Sequence, residues 1–267
     1  VARRTDGGWP DGSGPTPARR RRRTLPALAF GAMALGVSGF LVMLPSVSDA
    51  CQPVARPSAS PSAVARAIEP GSDVLIIGDS YTAGRGSSDG EHGWAQDLVA
   101  DRGWDAKIDG IPGTGYVNTG RPRTSRYAYE ARVAKQHALH PDLVIVQGSQ
   151  NDWDAAPSTL RSAVTTTLTL AKEQWPDAVV VAVGPSAPEP RAESTASISD
   201  MVSAGARAAG VPYLDALGDR WFTSANSPGY AAEDGEHLND AGYAYLADRI
   251  GAALDTMAAA PAGQQCA

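Results

Sequence analysis

Ser80 stands just past an apolar run, Val74-Leu75-Ile76-Ile77, that is broken by Gly78-Asp79. A serine hydroxyl becomes a nucleophile only beside a base, and the base needs an acid to orient it. The chain has four histidines. His137 and His140 come at a helical end before Pro141, where a solvated helix terminus accounts for them. His92 lies in the loop Gly86 to Gly93 and could line a cleft, but it has no evident partner. His237 has one: Asp234, three residues ahead in Asp234-Gly235-Glu236-His237, can fold back onto a ring nitrogen. Asn239 or Asp240 can cap the helix that follows. Amide donors come from two further segments, around Gly113 in Ile111-Pro112-Gly113-Thr114-Gly115 and in Gln150-Asn151-Asp152. A serine flanked by amide donors, with a carboxylate-backed imidazole elsewhere, is the layout expected for acyl transfer.

Competing patterns are weaker. Gly86-Ser87-Ser88-Asp89-Gly90 fits the G-x-S-x-G elbow. That elbow needs an apolar strand before it and a helix after it, whereas here Arg85 precedes and Glu91-His92 follow. Gly113, Gly115 and Gly120 lack dinucleotide-fingerprint spacing, and no HExxH, CxxC or P-loop occurs. No metal or cofactor is expected.

These residues have to be held at the ends of regular elements. Short apolar runs at 74–77, 106–111, 143–146, 178–183 and 211–214 read as five strands. Between and after them, residues 94–102, 126–138, 158–174, 195–209 and 239–257 read as helices. Regular alternation predicts an α/β fold: a parallel five-stranded sheet in three α/β/α layers, with flavodoxin-like order 2-1-3-4-5. In that order strand one lies between strands two and three. Ser80, Gly113 and Asn151 then emerge at the carboxyl ends of three adjacent strands, where ligands bind in such sheets.

The residues resemble the SGNH (GDSL-type) hydrolases. Ile77-Gly78-Asp79-Ser80-Tyr81-Thr82-Ala83-Gly84 is similar to that family's GDSx block, and Gly113 falls in a match to its oxyanion-glycine block. Asn151 matches the GxND block with one extra residue of spacing, and Asp234 to His237 match the DxxH block. The blocks occur in the family's order over about residues 73 to 255. The resemblance implies a carboxylester hydrolase without a metal. It implies that Ser80 is nucleophile and oxyanion donor, His237 general base and acid, and Asp234 its orienting carboxylate. Gly113 N–H and the Asn151 amide would complete the oxyanion hole.

Of the 267 residues, 43% are hydrophobic and 19% charged, which excludes a wholly disordered or collagen-like chain. The formal charge is −6, yet residues 1–50 carry +4, leaving −10 on the rest. So acidic a body argues against nucleic acid and disfavours an anionic polymer. The basic tail (1–24) ends in Arg19 to Arg23, before the uncharged run Leu25 to Leu44. Residues 25–45 read either as a signal peptide, with Ser48-Asp49-Ala50 as cleavage site, or as a transmembrane anchor. Both export the remainder, so membrane contact is expected through this segment alone. Residues 46–70, rich in Pro, Ser and Ala, read as a linker to a single hydrolase domain at 71–258, with a short tail at 259–267. Export leaves open a disulfide between Cys51 and Cys266.

Trp94, Trp104, Trp153 and Tyr116 are expected near the rim, where aromatics could stack on sugar rings. With three Phe in all and no apolar lid, a short acyl group, such as acetyl, on a small polar or carbohydrate alcohol is the expected ester. A monomer is expected. Two other functions fit the same residues: an acyltransferase to a sugar hydroxyl using the same triad, and a catalytically silent surface binding module.

Overall fold

Strand β1 (Asp73–Gly78) carries five consecutive buried residues after an exposed Asp73. Such a run suits a strand covered on both faces. In the computed structural model, which describes residues 59–121 and 125–260, β1 pairs in parallel with β2 (Asp105–Gly110) on one side and β3 (Leu143–Gln147) on the other. β4 (Val179–Val183) and the two-residue β5 (Tyr213–Leu214) complete an all-parallel sheet of order β2-β1-β3-β4-β5. The registers align Ile77 with Val146 and Gly78 with Gly110, so the first three strands end level with one another.

Alternate strand residues serve opposite layers, as the two-residue period requires. Val74, Ile76, Leu143, Ile145, Val181 and Val183 pack with α1 (Pro61–Ala67), α2 (Trp94–Arg102) and α7 (Asp240–Ala259). Leu75, Ile77, Val144, Val146, Val180 and Ala182 pack with α3 (Tyr129–Lys135), α4 (Pro157–Gln174) and α5 (Ala196–Ala209). A short α6 (Ser227–Tyr230) precedes α7. The chain is thus a three-layer α/β/α fold.

Several boundaries differ from expectation, each for a local reason. Part of the expected linker is helical: Ser60 caps α1 by accepting from Ala63 N, Pro61 occupies its first turn, and Val64 and Ala67 are buried. Serine at the cap and proline at the first helical position start helices, so the residues that read as a tether are start signals here. The helix α1 is therefore part of the described fold, ahead of Gly71. The helix expected over 126–138 is a 3₁₀ turn followed by the shorter α3. β5 is short because Val211 N closes the turn after α5 by donating to Ala206 O, and Pro212 has no N–H to offer.

The leader 25–45, the possible disulfide partners Cys51 and Cys266, and residues 261–267 lie outside the described residues. No described helix is long and apolar enough to cross a membrane.

Candidate active site

β1 ends at Gly78, where a Cβ would stand 2.0 Å from Thr82 Oγ1, so only glycine lets the chain turn so tightly. The turn is tied by Ala83 N donating to Asp79 O and Arg85 N donating to Ser80 O. Ser80 therefore sits at the mouth of the sheet. Its Oγ lies 2.9 Å from His237 Nε2. On the far side of the ring, His237 Nδ1 is 2.7 Å from Asp234 Oδ2. The other Asp234 oxygen accepts from Glu236 N and His237 N, each at 2.9 Å, so the carboxylate folds back over its own turn. Partial burial raises the Asp234 pKa, but these backbone and ring hydrogen bonds outweigh it and hold the carboxyl down at about 2. An ionised carboxylate on Nδ1 keeps the proton there and leaves Nε2 free to accept the serine proton.

The loop that carries His237 is fixed at several points. Asn239 caps α7, its Oδ1 accepting from Gly242 N, while its Nδ2 donates to Gly229 O and Ala231 O. Leu238 is fully buried. The Tyr81 ring lies 5.4 Å from the imidazole, and its hydroxyl donates to Glu236 O.

Ser80, His237, Gly113 and Asn151 line one cleft of about 450 Å³. Gly113 has φ +76°, a conformation only glycine adopts cheaply. Asn151 lies in a 3₁₀ turn capped by Ser149, whose Oγ accepts from Asn151 N. The Asn151 amide donates to Thr114 O at 2.9 Å and, at the long distance of 3.4 Å, to Asp79 Oδ2. The weaker of the two bonds is the one to Asp79.

Two residues that shape this cleft were not singled out from sequence. The Asp152 carboxylate accepts from three successive N–H groups, of Tyr116, Val117 and Asn118, and so holds the loop after Gly113. Arg132 of α3, 2% exposed, donates through Nη1 to Gly78 O and Thr114 Oγ1 and pairs with Asp109 at 3.1 Å. One guanidinium thus joins the ends of β1 and β2 to the Gly113 loop. A lone Arg in an amphipathic helix carries no sequence signal for this. Asp152 could have been flagged by its place beside Asn151.

Of the aromatics expected at the rim, only Trp153 is there, 71% exposed and lining the cleft. Trp94, Trp104 and Tyr116 are buried in the two hydrophobic layers. His92 also differs from expectation, because it does have a partner. Asp89-Gly90-Glu91-His92 repeats the tetrapeptide of residues 234–237, and Asp89 Oδ1 again accepts from the two following N–H groups while Oδ2 meets His92 Nδ1. No serine hydroxyl is bonded to the His92 ring among the described residues; Ser87 Oγ bonds to Asp89 instead. No group of three or more metal-ligating side chains occurs among the described residues.

Residues 76–245 match the GDSL-like Lipase/Acylhydrolase family. The chain belongs to that family. This GDSL-type hydrolase is 34% identical over 189 residues to a GDSL lipase of Mycobacterium tuberculosis, covering 66% of this chain and 79% of that one. Among solved structures it is similar to a two-domain esterase active on acetylated mannans, with TM-score 0.58 at 20% identity, covering 75% of this chain and 53% of that one. A family 2 carbohydrate esterase of Corynascus thermopiles gives TM-score 0.56 at 16% identity, covering 71% of this chain and 67% of that one. These two likenesses show the common fold.

Asp79 has a consequence for stability. Burial pushes its carboxyl up to about 7, the Tyr81 N–H works against this, the Asp152 charge adds to it and Arg132 opposes it. A folded-state pKa above the unfolded one means that the native protein holds a proton the unfolded chain releases. Stability is then lost as pH rises from about 4 to about 7, on the order of 4 kcal/mol from this group, and the loss levels off above that. Asp79→Asn is expected to flatten this slope, measured by urea unfolding at pH 5 and pH 8. Equal slopes in the two proteins would contradict the assignment.

Proposed function

We propose that this GDSL-type hydrolase is an exported, metal-independent serine esterase that removes a short acyl group, such as acetyl, through an acyl-enzyme on Ser80. The observation that carries this reading is the unbroken line Ser80 Oγ, His237 Nε2, His237 Nδ1, Asp234 Oδ2, with steps of 2.9 and 2.7 Å across the ring, opening into the cleft. His237 Nε2 takes the hydroxyl proton as Oγ attacks the ester carbonyl. The oxyanion is met by the N–H groups of Ser80 and Gly113 and by the Asn151 amide. His237 then returns the proton to the departing alcohol, and a water, activated the same way, cleaves the acyl-enzyme.

The short acyl group follows from the lining. Apart from Pro112 and Trp153, the cleft is walled by Gly, Ser, Asn, Arg, Asp and His, which leaves a long alkyl chain little apolar surface to bury against. An exposed Trp153 suits a sugar alcohol. Export rests on Arg19 to Arg23 followed by the apolar run 25–45, which either leaves as a signal peptide or remains as a membrane anchor.

With p-nitrophenyl acetate, butyrate and octanoate, kcat/KM is expected to be highest for acetate and about tenfold or more lower for octanoate. Faster turnover of octanoate would overturn the short-acyl assignment.

A further inference from the structure

We propose that the alcohol half of the ester is an anionic saccharide, whose carboxylate or phosphate is held by Arg85 and Arg121 while its ring lies on Trp153. This rests on the esterase reading above and narrows it. Both arginines line the same cleft as Ser80 and His237, and both are exposed. Among the described residues neither takes part in an ion pair; the pairs there are His92–Asp89, Arg102–Asp255, Arg132–Asp109 and His237–Asp234. Only Asp154 offsets them in the cleft lining. Trp153, in the same lining, is the one exposed large hydrophobic side chain of the described residues.

Within the cleft lining itself the balance is positive, two arginines against Asp154. Arg85 also borders a neighbouring groove that holds Glu233, Asp234 and Asp240, and further carboxylates, Asp89, Asp97, Asp101 and Asp248, line the groove between α2 and α7. Exposed charges more than about 8 Å apart are largely screened at physiological ionic strength, so an anion entering the cleft responds chiefly to the charges of the lining itself. A guanidinium recognises carboxylate and phosphate by the same paired N–H groups, and an exposed aromatic face accepts the apolar face of a sugar ring.

The test compares three acetyl esters on the full chain: an O-acetylated methyl glucoside, the matching glucuronide, and the matching glucose 6-phosphate ester. The expected result is a kcat/KM for at least one anionic ester about tenfold above the neutral one, as two exposed charge pairs allow. That preference should shrink as salt rises from 50 to 500 mM. Arg85→Gln with Arg121→Gln should bring the anionic-to-neutral ratio to about 1. The glucuronide and the phosphate arms tell a carboxylate subsite from a phosphate one. A ratio of 1 or less in the unaltered protein, or one unmoved by the double substitution, overturns the proposal while p-nitrophenyl acetate turnover keeps the esterase reading alive. Loss of turnover on every ester, p-nitrophenyl acetate included, overturns both.

Discussion

Ser80→Ala is expected to lower kcat on p-nitrophenyl acetate by several orders of magnitude, about 10⁴–10⁶, and His237→Ala by a similar factor. The two are expected not to add. Ser80 Oγ and His237 Nε2 share one proton across 2.9 Å, so removing either ends the transfer and the second change finds little left to remove. Asp234→Asn is expected to cost about 10⁴, because an amide on Nδ1 favours the wrong tautomer. These substitutions should leave the fold intact: Ser80 lies at a strand end and Asp234 is largely exposed, so melting temperatures within a few degrees of the parent are the accompanying expectation. A Ser80→Ala protein keeping more than a tenth of the parent rate would sink the nucleophile assignment.

Arg132→Met is expected to destabilise the fold by about 3 kcal/mol and to impair catalysis as well. The first effect comes from leaving Asp109, Gly78 O and Thr114 Oγ1 without their buried donor. The second comes from what those groups belong to: the strand that delivers Ser80 and the loop that delivers Gly113. Arg132→Lys separates the two. A lysine ammonium can pair with Asp109 or donate to Gly78 O and Thr114 Oγ1, but it lacks the separate nitrogens by which the guanidinium holds both sets at once. Stability should recover in part, measured by urea unfolding, while kcat stays about tenfold low with KM little changed. Full recovery of kcat in the lysine variant would reduce Arg132 to a structural ion pair. A methionine variant within 1 kcal/mol of the parent would remove the stability argument.

Arg132 shows why some of the site was illegible in the sequence. Its contacts reach 54 residues back to Gly78 and 18 back to Thr114, and no local pattern predicts which helix face will meet two strand ends. The rim aromatics failed for a related reason. Trp94, Trp104 and Tyr116 are near functional residues along the chain, but nearness in sequence does not tell which side of an element faces the cleft. Trp94 turns into the layer under α7, and Tyr116 packs against Tyr129 at 4.9 Å. The first helix was missed because seven residues are too few to show a period, and its cap and first-turn proline have the composition of a tether.

The strand order, by contrast, is legible in the sequence. Val74 to Ile77, Leu143 to Val146 and Val179 to Val183 are apolar without alternation, which only a sheet covered on both faces can bury. Alternation with helices then leaves few topologies. The pairing of Asp234 with His237 was legible too, because a three-residue turn brings a carboxylate onto a ring by local geometry alone. That local rule, however, applies equally to Asp89 and His92, whose tetrapeptide is identical and whose carboxylate makes the same backbone bonds. The two dyads differ only in what the fold sets beside them. The turn before α7 brings His237 to Ser80 from 157 residues away, while the loop before α2 leaves His92 in solvent. Short-range chemistry is written in neighbouring residues. Which copy meets the serine depends on how the sheet and its helices pack, and that is a property of the whole chain.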